Sequence, residues 1–380
     1  MSHASGAGHG APASQRAGGP GATPPDKETI ISRGIERRAF PSAVVESGTA
    51  TGVTWRQAFG RLTYEEDAPA TTDETIYDLA SLTKVLATTT RAMQAVEAGA
   101  LSLDDRVSTF LPEWRGSDRE SVTMADLLEH ASGLTAYLPF FRDHQGRAEF
   151  QRAICTLPLE YAPRSQSIYS DLGFILLGFV LEDLGFPLDG ISGLKPEIGA
   201  GNGAGLRFGV AVDERERCAP TELDLWRGRL LQGEVHDENA WALGGVAGHA
   251  GMFGTAESVG VFAREVLRAF AGETTFARPD TLARFVQKSS VPGSSRALGW
   301  DTMLPTSSCG TRMSPRAIGH TGFTGTSLWI DPELNLYVVF LTNRVHPARD
   351  NNAIQPVRRA LHDAIVTDVH TQGTQRRPRF

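Results

Sequence analysis

The alternation of apolar and polar positions divides the chain into strands at both ends and helices between them. Residues 42–60 carry two β-favouring runs, Ala43-Val44-Val45 and Val53-Thr54-Trp55, with Gly48 and Gly52 between them, and predict a β-hairpin. The polar stretch 65–74 predicts a loop. Over residues 78–98, Leu79, Leu82, Leu86, Met93 and Val96 recur at helical spacing, with Asp78 as candidate N-cap and Gly99 as the stop. A second helix is expected from Thr123, with Asp126 in the reciprocal capping position, to Ser132-Gly133, and a third over residues 172–184. Residues 185–220 are glycine-rich without periodicity and predict an excursion. Thr255 and Glu257-Ser258 open a helix over 256–270. After Pro292 the period shortens: 297–300, 327–330 and 336–341 read as antiparallel strands, with 331–335 turning between the last two. A final helix is expected over 352–367.

Strands contributed by both termini around a helical middle predict an α/β chain of the α+β type. Its antiparallel sheet would be built from the terminal segments and flanked by helices, with a mostly helical domain inserted. The boundaries follow: a Gly/Ala/Pro-rich disordered tail over 1–28, a sheet subdomain over 29–80 and 293–366, a helical subdomain over 81–292, and a flexible tail over 367–380. No internal repeat is visible.

Composition narrows the function. A net charge of −7 without a dense basic stripe gives no footprint for nucleic acid. No apolar run is long enough to span a bilayer. The first residues lack the hydrophobic core of a secretory signal, so a cytoplasmic location is the expectation, or a periplasmic one if the true start lies elsewhere. The three cysteines, Cys155, Cys218 and Cys309, lie far apart and predict free thiols. Residues 244–254 lack the Gly-Lys-Ser/Thr ending of a phosphate loop, and no pattern requires a cofactor. His236, Asp237, Glu238 and His249 do not match a compact metal-ligand spacing; they are expected to be hydrogen-bonded histidines and acids supporting a glycine-rich loop.

Candidate chemistry sits in three separated segments. In Ser81-Leu82-Thr83-Lys84, a serine precedes a lysine by three residues at a helix start, so hydroxyl and amine share one face. Lysines number four here (Lys27, Lys84, Lys195 and Lys288), and one placed in an apolar helix start asks for a chemical reason. A lysine acts as a base where burial lowers its pKa, which an arginine cannot match. Ser81 in a first turn would also have backbone N–H groups at hand for a developing anion. Tyr169-Ser170-Asp171 stands just before the third helix, and a phenol relays a proton if nearby cations hold its pKa down. Gly319-His320-Thr321-Gly322-Phe323 opens a strand region, where a glycine admits close backbone approach and a strand edge can bond an extended acyl group. A second match, Ser192-Gly193-Leu194-Lys195, lies among glycines before Pro196 and is not expected to be helical. The absence of a Gly-x-Ser-x-Gly elbow argues against an α/β-hydrolase.

Ser-x-x-Lys, Tyr-Ser-Asp and His-Thr-Gly, in this order and at this wide spacing, resemble the class C β-lactamase superfamily of serine hydrolases. That group includes penicillin-binding D-alanyl-D-alanine carboxypeptidases and β-lactamase-like esterases. The segments 77–84, 127–134, 233–240 and 244–251 agree with it, and the resemblance covers roughly residues 30–366. It implies Ser81 as the acylated nucleophile, with Lys84 and Tyr169 sharing the proton transfers. It implies the backbone N–H groups of Ser81 and Phe323 as an oxyanion hole, and Asp171, His320, Thr321 and Gly322 along the substrate. Asp171 stands where true β-lactamases commonly have asparagine, and His320 where many have lysine. Both departures shift the expected substrate among β-lactam, D-alanyl peptide and small ester without changing the reaction class. The expected partner is a small-molecule or peptide substrate. The competing expectation is a catalytically weak penicillin-binding or sensor protein on the same scaffold.

Overall fold

A computed structural model of the chain describes residues 25–193 and 205–375. The strands are β1 (Ser42–Thr49), β2 (Gly52–Gly60), β3 (Tyr77–Asp78), β4 (Arg207–Phe208), β5 (Leu223–Asp224), β6 (Arg229–Leu230), β7 (Met252–Gly254), β8 (Asp301–Thr302), β9 (Ile318–Thr321), β10 (Ser327–Asp331) and β11 (Leu336–Thr342). The main sheet is six-stranded in the order β2-β1-β11-β10-β9-β8. Every pairing in it is antiparallel. The N-terminal hairpin is therefore zipped onto the C-terminal strands, Ala43 opposite Thr342 and Glu46 opposite Val339. A small sheet, β3-β7-β4, lies within the rest of the chain.

Residues 336–341 form one unbroken apolar run because β11 is buried on both faces. Tyr337, Val339 and Leu341 join the larger core against the helices of the middle region. Leu336, Val338 and Phe340 join a second core. The terminal helices Lys27–Glu36 and Ile354–Gln375 close that second core through Ile30, Ile31, Leu361, Ile365 and Val366. In β1 the same period of two sends Val44 one way and Ala43 and Val45 the other. Helix Ala256–Phe270 packs so closely on β1 that a Cβ on Gly260 would meet the Glu46 carboxylate. Glu46, buried there, is held by Arg56 at 2.6 Å, Arg264 at 3.1 Å and Tyr337 Oη at 2.7 Å.

Several local expectations meet a different structure. The Lys27–Glu36 helix is preceded by Asp26, which accepts the Thr29 N–H, so order begins before residue 29. Residues 1–24 lie outside the described residues. The last helix continues to Gln375, through the segment expected to be a flexible tail. Residues 297–300 form a turn instead of a strand, because Gly299 takes a positive φ of 83° and packs directly on Thr89. The expected helix over 78–98 is a 3-10 turn (Ala80–Leu82), a π-helical stretch (Lys84–Thr89) and an α-helix (Thr90–Glu97). Thr123 and Asp126 do form their capping box, on Met124–Leu128. In the Ser192-Gly193-Leu194-Lys195 match, Lys195 lies outside the described residues.

The central helix, Asp171–Asp183, is capped by Ser170 and buried along most of its length. It packs against the glycine-rich loop so tightly that a Cβ on Gly248 would stand 1.9 Å from the Phe174 carbonyl oxygen. Gly248→Ala is therefore expected to lower the unfolding free energy by about 1–3 kcal/mol in urea denaturation, the usual cost of overpacking. An unchanged midpoint would contradict this packing.

Candidate active site

The first segment is positioned by strain and by two carboxylate bonds. β3 pairs with β7, and Leu79 N continues the ladder to Met252 O at 2.9 Å. Ala80 then turns the chain with φ 45°, a left-handed conformation unfavourable for a residue with a Cβ. The buried Asp78 carboxylate holds the turn, accepting from Ala80 N at 2.8 Å and from His236 N at 2.7 Å. Asp78 thus caps a tight turn instead of the expected α-helix. Ser81 emerges from that turn, half-buried and facing a cavity of about 660 Å³.

Lys84 is fully buried behind Ser81. Its Nζ donates to Ser81 Oγ at 3.2 Å, to Asp171 Oδ1 at 2.6 Å and to the His249 carbonyl at 3.0 Å. Those three acceptors match the three N–H groups of an ammonium. Burial alone pushes the lysine pKa down, but the Asp171 carboxylate and the Tyr169 phenol outweigh it, so the net shift is upward. A pKa lowered by burial, the condition for Lys84 to act as the base, is not what these neighbours favour. Three acceptors around Nζ and an upward pKa shift favour the ammonium form.

Tyr169 closes the other side. The residue is half-buried, but its hydroxyl is shut off from solvent and lacks a hydrogen bond of normal geometry. Burial raises the phenol pKa; the Lys84 charge pulls against this and Asp171 adds to it, and the net shift is upward. Lys84 Nζ stands 4.8 Å from the ring centroid, and the Arg296 guanidinium 4.9 Å. The rings of His130 and His320 flank the phenol at 4.7 Å and 5.7 Å. Both imidazoles are kept neutral, first by burial and then by the charges of Arg296 and Lys84.

The third segment arrives on β9. β8 pairs with Ile318 and Gly319 and stops there, leaving one edge of His320 and Thr321 unpaired beside the cavity. His320 Nδ1 donates to the Thr321 carbonyl at 2.9 Å. Gly322 was expected to admit a ligand; the close approach it permits is to the chain itself, since a Cβ there would meet Thr326 Oγ1 at 2.1 Å and Leu79 O at 2.6 Å. Two threonines tie this turn to the nucleophile turn: Thr324 Oγ1 donates to Asp78 O at 2.7 Å and Thr326 Oγ1 to Leu79 O at 3.1 Å. Phe323 is 48% exposed, its ring between His236 (centroids 5.7 Å apart) and Arg344 (4.8 Å).

Ser81, Tyr169, Asp171, His320, Thr321, Gly322 and Phe323 thus line one cavity, with Lys84 bonded to two of them. His236 and His249 each bond a carboxylate, Glu222 at 2.8 Å and Asp237 at 2.7 Å. Among the described residues, no group of three or more His, Cys, Asp or Glu is placed to hold a metal. Sequence reading missed Arg296, the His249 carbonyl and the two threonines. A backbone carbonyl carries no sequence signal, and Arg296 sits in an ordinary polar turn.

An antiparallel sheet flanked by helices, with a Ser-Lys-Tyr cluster where the sheet meets the helical region, defines a serine-hydrolase architecture. The chain belongs to the beta-lactamase family, whose model matches residues 28–362. A protein of Escherichia coli K12 named "Putative D-alanyl-D-alanine carboxypeptidase" is 32% identical over 328 residues, 76% of this chain and 73% of the relative. A protein of the same name from Salmonella gallinarum is 30% identical over 322 residues, 75% of this chain and 73% of the relative. Solved structures share the fold. They include an Aspergillus terreus simvastatin synthase mutant (TM-score 0.71, 22% identity, 91% of this chain and 97% of that one). EstCE1, a hydrolase with promiscuous acyltransferase activity, gives TM-score 0.69 at 22% identity over 90% and 97%. A class C beta lactamase from Rhodobacter sphaeroides gives 0.68 at 21% over 90% and 99%. No helix among the described residues is long and apolar enough to cross a membrane.

The Asp171 carboxylate raises the pKa of both Lys84 and Tyr169. Removing its charge in Asp171→Asn lowers both. Whichever group must lose its proton, the ascending limb of the pH–rate profile is expected to move to lower pH. A limb that stays put or moves up would show that this ion pair does not control the titration.

Proposed function

We propose that the protein cleaves an ester or amide through an acyl-enzyme on Ser81. The observation that supports this most directly is the Lys84 ammonium, donating to Ser81 Oγ while its charge lies against the Tyr169 ring. A lysine whose three protons are engaged does not take the serine proton. Tyr169 is then the acceptor, acting from the minor phenolate form: burial holds its pKa above the ordinary phenol value, and the Lys84 charge opposes that rise. Lys84 and Tyr169 titrate as a pair, so an observed pKa belongs to both.

Ser81 Oγ then attacks the substrate carbonyl as its proton passes to Tyr169 Oη. The developing oxyanion is met by the backbone N–H groups of Ser81 and Phe323, whose turns Thr324 and Thr326 lock together. Loss of one such donor costs about 100-fold or more in rate. Collapse of the adduct expels the leaving group, which takes up the proton from Tyr169, and water releases the acyl group by the reverse route. The free edge at His320–Thr321 lies along the substrate. D-alanyl peptides, β-lactams and small carboxylic esters are the candidate acyl donors. The carboxypeptidase name of the relatives favours the first, and the EstCE1 likeness in fold keeps the last in view.

Intact-mass spectrometry after treatment with a fluorophosphonate is expected to show one adduct, mapped to Ser81 and absent in Ser81→Ala. Ser81→Ala and Tyr169→Phe are each expected to lower turnover of a nitrophenyl ester by at least about 1,000-fold with the fold retained by circular dichroism. An unlabelled Ser81 in folded protein, or a Tyr169→Phe variant that keeps most of its activity, would refute the assignment. A penicillin adduct that never hydrolyses, with no turnover of any ester, would instead identify a sensor.

A further inference from the structure

Two adjacent residues on the cavity wall, His236 and Asp237, reach into opposite halves of the site. The loop 244–251 must deliver the His249 carbonyl to Lys84 at 3.0 Å. Seven of its eight residues are Gly, Ala or Val, so His249 alone has a side chain that can hydrogen-bond. Thr88 Oγ1 holds the Gly248 carbonyl at 2.6 Å, one peptide earlier. The His249 residue is 1% exposed, and its Nε2 meets Asp237 Oδ1 at 2.7 Å. The same oxygen accepts the Ala240 N–H at 2.7 Å, which fixes it to the start of helix Glu238–Ala242. Burial pushes the Asp237 pKa up, but His249, the Ala240 N–H and the Lys84 charge outweigh it and bring it below the ordinary carboxylate range.

His236 acts on the other half. Its backbone N–H donates at 2.7 Å to Asp78, the carboxylate that also holds the Ser81 turn through Ala80 N. Its ring stacks on Phe323, with the planes 26° from parallel. Its Nε2 meets Glu222 Oε2 at 2.8 Å, which sets the plane of that ring. One buried residue therefore touches both turns whose N–H groups would face an oxyanion. Displacing such a donor by about an ångström can cost about 100-fold in rate.

We propose that His236 and Asp237 are positioning residues for the two halves of the site. His236 keeps the turns of Ser81 and Phe323 in register, and Asp237, through His249, sets the carbonyl that completes the Lys84 shell. The His236 half rests on the hydrolase reading. The Asp237 half rests only on the geometry around Lys84.

Solvent exchange of the Lys84 ammonium protons, followed by nitrogen-15 NMR of the full chain, tests Asp237. Asp237→Ala is expected to speed exchange about tenfold or more, because one proton loses its fixed acceptor. Asp237→Asn, which keeps an oxygen for both bonds, and Trp241→Ala on the same helix are expected to stay within about threefold of the wild type. Unchanged exchange in Asp237→Ala, or equally fast exchange in either of the other two, would overturn this half. Should Asp237→Ala fail to fold by circular dichroism, His249→Leu, which keeps the carbonyl and loses the bond to Asp237, decides. For the other half, His236→Ala is expected to lower kcat on a nitrophenyl ester about tenfold or more, with KM within about twofold. It is expected to weaken by a similar factor the binding of a phenylboronic acid, whose tetrahedral adduct with Ser81 places an oxygen among the oxyanion donors. A loss confined to KM, or a boronic acid bound as tightly as by the wild type, would overturn the His236 half. If that variant does not fold, His236→Gln, which still reaches Glu222 but has no ring to stack, decides. A wild type that binds no boronic acid and turns over no ester would refute the hydrolase reading and the His236 half with it, while the exchange rates still decide Asp237.

Discussion

The site is organised around one buried positive charge. Lys84 sits where an isolated ammonium would be driven to lose its proton. It stays charged because Asp171 faces it at 2.6 Å and two further oxygens complete its shell. Those acceptors come from three distant parts of the chain: the nucleophile turn, the start of the central helix and the glycine-rich loop. Satisfying one ammonium therefore fixes the position of all three. The tight glycine packing around residue 248 serves this geometry, since the His249 carbonyl must reach Lys84 past the central helix.

A charged lysine changes how the cluster works. In the proposed mechanism the ammonium orients Ser81 Oγ and opposes the rise that burial imposes on the Tyr169 pKa. Two histidines, kept neutral by burial and by the charges of Arg296 and Lys84, pack their rings around the phenol.

Much of this was legible in the sequence because it rests on local periodicity and on side chains. The alternation in β1 and β11, the capping box at Thr123 and the helix opened by Thr255 follow from residue pattern alone. The three motif segments identify the cluster, since a hydroxyl, an amine and a phenol are visible as letters. What escaped detection depends on long-range packing. Whether 78–98 forms an α-helix was decided by Asp78 reaching His236 across 158 positions of sequence. The upward shift of the Lys84 pKa comes chiefly from Asp171, 87 residues away. Residues 297–300 look like a strand until Gly299 is pressed onto Thr89.

With only four lysines in the chain, the state of Lys84 can be observed directly. Nitrogen-15 NMR of the lysine Nζ groups, assigned by comparison with a Lys84→Met variant, would follow its titration in the resting protein. The account predicts an ammonium signal that persists above the pH at which ordinary lysines, near 10.4, lose their proton. A neutral amine at pH 8 would contradict it and return the role of base to Lys84.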